Sequence, residues 1–274
     1  MTEPDRGKLA WGGPPISVGS TVRVVLLAQD CESTRAVHHA LLREYPDLVT
    51  VLEDGVSRAA LLRRRLRLLG PWTVLGQMLF MVTAATALRL AARERMADLA
   101  RTLELDTSPI RRRNIRVHSV NDDSTRQMLR RLRPKVVVIN GTRIVSAETL
   151  RCIDAAFINT HAGITPLYRG VHGGYWALAE GRPDLVGTTV HLVDSGVDTG
   201  AVLEQVRFRP SPEDSFVTYP YLHTAAGIPP LLRAIGGVLE GTLQPRPAVS
   251  MPSRLRYHPT LWGYLATRVR HGVR

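Results

Sequence analysis

FINTHAGITPLYRGVHGGYWALAEGRPDLVGTTVHLVDSGVDTG, from Phe157 to Gly200, contains two apolar runs that each lead into polar side chains. Ala155 to Asn159 reads as a buried strand. Asn159 and His161, two residues apart, project from one side of the extended chain because side chains alternate faces with period two. Both can then address one substrate atom. Thr188 to Val193 reads as another buried strand, after which Asp198 arrives from a loop at the same sheet edge. Singly, these residues have bland roles open to them, Asn159 ending a strand and Asp198 capping a turn. Their ordered combination points to a shared site.

Upstream, Val22 to Ala28 (VRVVLLA) is a continuous apolar run that fits a central parallel strand covered on both faces, and Ser33 to Glu44 continues as a helix. Leu48 to Leu52, Ile115 to Val120 and Val136 to Asn140 supply further strands, with Ser124 to Leu132 helical between the last two. This alternation predicts an α/β fold with a mostly parallel, Rossmann-like sheet whose ligands bind beyond the carboxyl ends of the strands. The main domain spans 21–245 and carries a helical insert at 56–113. Residues 1–20 hold acids and Pro/Gly breakers without the pattern of a secretory signal, so they read as a flexible tail. Residues 246–274 form a C-terminal extension with an amphipathic helix, in which Leu261, Tyr264, Leu265 and Val269 recur among Arg268, Arg270 and Arg274.

Within the insert, Leu68 to Leu88 is uncharged and long enough to test as a membrane span. A crossing would put the first two strands on the opposite side from strands they must pair with. Thr73, Gln77, Thr83 and Thr86 dilute its apolarity, and Gly70-Pro71 should break it into a helical hairpin on the surface. Three roles stay open for 58–105. It packs on the core or across a homodimer interface, it grips an acceptor, or it makes peripheral membrane contact, with arginines on anionic headgroups and Trp72, Leu75, Leu79 and Phe80 in the interface.

At 274 residues and 44% hydrophobic composition, the chain can bury a sizeable core. Its net charge of +12 is almost wholly arginine, since Lys8 and Lys135 are its only lysines. That charge suits nucleic acid, an anionic membrane or a polyanionic substrate, and coding composition alone can also produce it. Neither zinc-finger spacing nor an RNA-binding aromatic signature accompanies it, which argues against nucleic acid. Cys31 and Cys152 lack CxxC spacing, which fits a reducing cytoplasm and two buried structural thiols. No metal site is expected, because His38-His39 and the scattered acids lack ligand spacing. Ala28-Gln29-Asp30 stands where a dinucleotide-binding chain has its glycines, so nicotinamide chemistry is not expected.

Asn159-Thr160-His161, then Gly163, Pro166 and Tyr168-Arg169-Gly170, and finally Gly187 to His191 with Val197-Asp198-Thr199-Gly200, resemble the formyltransferases that use 10-formyltetrahydrofolate. These include glycinamide ribonucleotide, methionyl-tRNA and sugar N-formyltransferases. Their hallmark is an Asn-x-His pair followed by an Asp in a D-x-G turn, and here 39 positions separate Asn159 from Asp198. The resemblance is firm from Val136 to Gln205 and extends less closely from Val22. It implies a small-molecule amine as acceptor and a catalytic trio. Asn159 and His161 stabilise the oxygen that becomes negative when an amine attacks the formyl carbon, and Asp198 keeps the imidazole charged and takes up the amine's proton.

By the same resemblance, the folate lies between the loop after the fourth strand (Asn140, Gly141, Thr142, Arg143, Ile144) and the loop before the aspartate (Leu192 to Val197, with Val193, Asp194 and Val197). Arg169 meets an anion or simply holds its loop, and His172 and Tyr175 either line an acceptor pocket or pack. His191, inside an apolar strand, reads as a core histidine. The segment from Arg207 to Arg274 is short for the β-barrel of the tRNA enzymes. The expected acceptor is therefore an amino sugar, nucleotide- or lipid-linked, in glycan or secondary-metabolite synthesis. A hydroxyornithine-type amine in siderophore assembly, and a non-catalytic folate-binding or membrane-associated protein on this fold, remain as alternatives.

Overall fold

The structure, a computed structural model, describes residues 22–111, 114–246 and 252–274. The expected tail at 1–20 lies outside the described residues, as do 247–251 of the expected extension. The elements run β1 (Val24–Ala28), α1 (Glu32–Glu44), β2 (Val49–Glu53), α2 (Arg58–Leu69), α3 (Pro71–Val82), α4 (Ala84–Ala91), α5 (Arg93–Thr102) and β3 (Asn114–Val117). They continue with α6 (Asp123–Leu132), β4 (Val136–Asn140), α7 (Ala147–Leu150), β5 (Ala156–His161), β6 (Tyr168–Gly170), α8 (Gly173–Ala179), β7 (Gly187–Leu192), β8 (Val202–Arg207), α9 (Tyr219–Glu240), β9 (Arg254–Arg256) and α10 (Leu261–His271). The described residues fall into two compact units, one within Met1–Gly55 and Thr107–Ile158, the other within Val56–Asp106 and Asn159–Arg274.

The first unit carries the parallel sheet, in the order β3-β2-β1-β4 and then the start of β5. All five residues of β1 are buried, as an all-apolar strand between two parallel neighbours must be. β1 pairs Val25 with Val49 on one side and Ala28 with Asn140 on the other, which puts Asn140 at a carboxyl edge. Helix α1 buries Ala36, Val37, Ala40 and Leu41, one stripe at helical spacing. Cys31 departs from expectation: it is exposed, and Cys152 is half-buried. Cys31 is the N-cap of α1, on the loop leaving β1, where the chain comes to the surface.

In the second unit the end of β5 is followed in the sheet by β7 and β8, which are antiparallel to each other. The β7–β8 register shifts between Val190 and His191, a local irregularity that turns the end of β7. Phe80, Tyr175, Phe216, Tyr219 and Tyr264 form an aromatic core cluster. The expected hairpin of 58–105 is instead four helices. Gly70, at φ +78, ends α2 as expected, and further breaks fall at Thr83 and Ala92. Helix α3 contacts α10, and α5 contacts α9, so much of the insert belongs to this unit's own core.

Phe80 is therefore excluded from any lipid interface. It has no exposed surface, and its ring lies 4.8 Å from that of Phe216 and 5.0 Å from that of Tyr264. The apolar spacing read in α10 also does not mark one buried face. Tyr264 is buried, while Leu265 and Val269 are exposed, because only the side toward α3 and α8 is covered.

Candidate active site

Asp198 is where the expected trio meets. It follows β7 in a turn that needs left-handed backbone, φ +51, which aspartate tolerates better than most residues. Gly200 closes that turn so tightly that a Cβ there would stand 1.7 Å from the Leu192 carbonyl oxygen. The Asp198 carboxylate faces groups from three strands. Oδ2 accepts the Gly170 N–H at 2.9 Å and faces His161 Nδ1 at 3.3 Å. Oδ1 faces Asn159 Nδ2 at 3.4 Å and His191 Nε2 at 3.6 Å. β5 supplies Asn159 and His161, which share one side of the strand, and β7 supplies His191.

The hydrogen bonds assign the protons. His191 Nδ1 lies 2.7 Å from the Leu192 carbonyl oxygen and must donate to it, so Nε2 of the neutral ring accepts from Asn159 Nδ2 at 3.1 Å. This fixes which way the Asn159 amide points. His161 Nε2 likewise donates to the Tyr168 carbonyl oxygen at 2.6 Å, and its Nδ1 faces Asp198. Burial pushes the His161 imidazole below its ordinary range, against the opposing pull of the Asp198 charge and the Tyr168 carbonyl. Burial also opposes ionisation of Asp198. The His191 and His161 rings beside it and the Gly170 N–H nonetheless hold its carboxyl below the usual carboxylate value. Asp198 Oδ2 and His161 Nδ1 face each other, so a proton shared by this pair can sit on either atom.

A cavity of about 590 Å³ opens at Asp198. Thr165, Pro166, Gln205, Arg182, Arg207 and Arg246 are among its lining residues. Arg182 is held in a two-pronged bond by Asp184. Thr165 Oγ1 is buried without a hydrogen-bond partner among the described residues. Asn159 and His161 are not among its lining residues; Asn159 is half-buried and His161 is buried.

Nor do the three residues read as acceptor-binding. Tyr175 is buried in the aromatic cluster. His172 Nε2 bonds His258 Nδ1 at 3.0 Å beside the Phe216 ring, and burial with the neighbouring histidines lowers its pKa to about 3. Arg169 donates to the Val197 carbonyl oxygen at 3.1 Å and so tethers the loop that carries Asp198. These residues pack or tether through partners distant in the chain, which no local pattern reveals. His191, read as a core histidine, is buried and also belongs to the site. Its one signal is its place at the end of β7, just before the loop to Asp198.

Of the loops assigned to folate, that of the first unit is stiffened by a buried ion pair. Arg143 donates through its backbone N–H and Nε to the fully buried Glu53 carboxylate, at 2.6 and 2.7 Å, and through Nη2 to the carbonyls of Asp54 and His118. Its guanidinium is thus occupied within the protein. Asn140 Nδ2 donates to Thr34 Oγ1 at 2.8 Å, Thr142 bonds the Arg143 carbonyl, and Gly141 takes φ +66. Ile144 presents an exposed side chain. In the second unit, Asp194 accepts from Gly196 N and Thr199 Oγ1 and so shapes the turn between Val193 and Val197.

Residues 82–223, more than half of the chain, match the family described as formyl transferase. Methionyl-tRNA formyltransferase of Thermodesulfovibrio yellowstonii is 29% identical over 143 residues, 52% of this chain and 45% of that protein. Phosphoribosylglycinamide formyltransferase of Mycobacterium tuberculosis is 42% identical over 73 residues, 26% of this chain and 34% of that protein. The chain thus spans less than half the length of these curated relatives. A sugar N-formyltransferase from a Shewanella species has a similar fold, with TM-score 0.54 and 14% identity, over 86% of this chain and 76% of that one. So does the N-formyltransferase of Helicobacter canadensis in complex with folinic acid and dTDP-3-aminofucose, with TM-score 0.52 and 12% identity over 86% and 70%. The matched stretch includes Asn159, His161 and Asp198, and the chain belongs to the formyl transferase family.

Proposed function

We propose that this chain transfers a formyl group from 10-formyltetrahydrofolate to the primary amine of an amino sugar that carries phosphate, as a nucleotide- or lipid-linked sugar does. The observation that carries this reading is an ionised Asp198 in the wall of a cavity also lined by Arg182, Arg207 and Arg246. Asp198 takes one proton from the ammonium and shares it with His161 Nδ1, and the neutral amine nitrogen then attacks the formyl carbon as the carbonyl oxygen takes up the negative charge. The bond from the carbon to the folate nitrogen then breaks, and that nitrogen leaves with the second proton lost by the attacking amine. Asn159 has two amide hydrogens. An oxyanion that displaces its long contact to Asp198 takes one while the other stays on His191, a donor already oriented for charge that appears only in the transition state.

Arginines that line the same cavity as the catalytic carboxylate suit an acceptor that carries both an amine and a phosphate. A hydroxyornithine-type amine offers the arginines a single carboxylate, whereas a phosphate-bearing sugar offers several anionic oxygens. The Helicobacter canadensis neighbour, with a dTDP-linked amino sugar, supports the preferred class. A cytoplasmic site fits such substrates. The exposed apolar surface of 58–105 admits either peripheral membrane contact or a homodimer.

The test is calorimetric titration of 5-formyltetrahydrofolate with NADH as control, followed by 10-formyltetrahydrofolate with a panel of dTDP- and UDP-linked amino sugars, read by mass. Saturable folate binding and a formylated product are expected. Arg207→Ala with Arg246→Ala should raise the acceptor KM roughly ten- to a hundredfold, the loss of charge-assisted hydrogen bonds. A folded sample that binds no folate would remove the reading, and an unchanged KM would remove the phosphate-bearing acceptor.

A further inference from the structure

A second surface of the same unit is built from α2, α3 and α10. Helix α3 contacts both others. Gly76 of α3 admits the Trp262 ring of α10, which a Cβ would meet at 2.4 Å, and Gln77 Nε2 donates to the His258 carbonyl oxygen at 2.9 Å. Beyond these inward contacts, Trp72, Met78 and Val82 of α3 are 75%, 51% and 72% exposed. Trp262, Leu265 and Val269 of α10 are 50%, 49% and 86% exposed. Large apolar side chains grouped this way mark an interaction surface.

Its charge identifies the partner. Between Asp54 and Glu94 there is no acidic residue, nor is there one after Glu240, while Arg63, Arg64 and Arg67 on α2 and Arg268 and Arg270 on α10 are exposed. A two-fold contact with a second copy sets the same patch against itself, arginine against arginine, with no carboxylate in these segments to pair them. A nucleic acid would satisfy the arginines and leave the apolar side chains without a partner. An anionic bilayer satisfies both, taking arginines at its headgroups and Trp, Met and Val at the acyl boundary.

Pro71–Ala91 is long and apolar enough to cross a membrane. It does not run as one helix, since it breaks at Thr83, and Val74, Gln77, Phe80 and Ala85 are buried on its own chain. Only its outer side is available. We propose that α2, α3 and α10 form a docking surface that lies in the plane of an anionic lipid bilayer. This inference does not depend on the proposed chemistry.

The experiment is co-sedimentation of the full chain with vesicles of phosphatidylcholine containing 30% phosphatidylglycerol, against phosphatidylcholine alone, at low and high salt, with sedimentation velocity to read the oligomeric state. Retention on the anionic vesicles is expected, falling at least tenfold on neutral vesicles. The same fall is expected in Arg63→Glu/Arg64→Glu/Arg67→Glu and in Trp72→Ser/Met78→Ser/Val82→Ser, each checked for native circular dichroism. All six side chains are exposed, and the two variants address charge and apolar contact separately. No retention of the native chain, or equal retention on neutral vesicles, would overturn the proposal. So would a stable dimer that the Trp72 variant dissociates while vesicle binding is absent, which would assign the face to a second copy.

Discussion

Asp198 carries most of the chemistry because its carboxylate collects four neighbours while bordering the cavity. Asp198→Asn keeps the side-chain shape and tolerates the left-handed backbone, yet cannot take the amine's proton. It should cost about 10²- to 10⁴-fold in kcat with folate affinity retained, measured by steady-state rates beside calorimetry. His191 acts through Asn159 and is a positioning residue. In His191→Phe the amide loses the acceptor that aims it, so kcat should fall about tenfold, the worth of one hydrogen bond, with KM for the acceptor little changed. A rise in KM with kcat intact would mean that His191 only shapes the pocket.

At the scale of elements, the site depends on two short strands far apart in sequence. Gly170 ends β6, its N–H holds Asp198, and its φ of +93 disfavours any side chain. A Cβ there would stand 2.3 Å from the Arg256 carbonyl oxygen of β9. Gly170→Ala should therefore destabilise the fold by about 1–3 kcal/mol through overpacking and backbone strain, and lower activity more than stability alone explains. Thermal melting and kcat on the same sample separate the two effects. An unchanged melting temperature would mean that the β6–β9 pair gives way at little cost.

For the molecule as a whole, three histidines shielded from water, His223 buried and His172 and His258 half-buried, set the response to acid. Burial, helped by neighbouring positive charge, lowers His172 to about 3, His223 to about 3 and His258 to about 4, from an ordinary imidazole value of 6.5. Each folded value lies below the unfolded one, so the unfolded chain binds more protons between those limits. Stability is full above pH 6.5 and is lost as pH falls toward 4. With all three titrating only when unfolded, the slope approaches about 4 kcal/mol per pH unit. Urea midpoints from pH 7 to 4.5 test this, and a midpoint that stays level down to pH 5 would contradict it.

The alternation of VRVVLLA, the later apolar runs and the intervening helices is enough to read the parallel sheet, because a strand buried on both faces must be apolar throughout and a helix must show its stripe. The Asn159, His161 and Asp198 pattern is legible for a related reason: residues at strand ends and in a tight turn keep their spacing wherever the rest of the chain goes. Only the tertiary structure decided that Phe80, Tyr175 and His172 pack inward, that Arg143 is held by Glu53 and Arg169 donates to Val197, that His191 orients Asn159, and that Arg182, Arg207 and Arg246 share a cavity with Asp198. Those outcomes depend on contacts between residues tens to more than a hundred positions apart. Local periodicity records which side of an element is apolar, but not which other segment arrives to cover it.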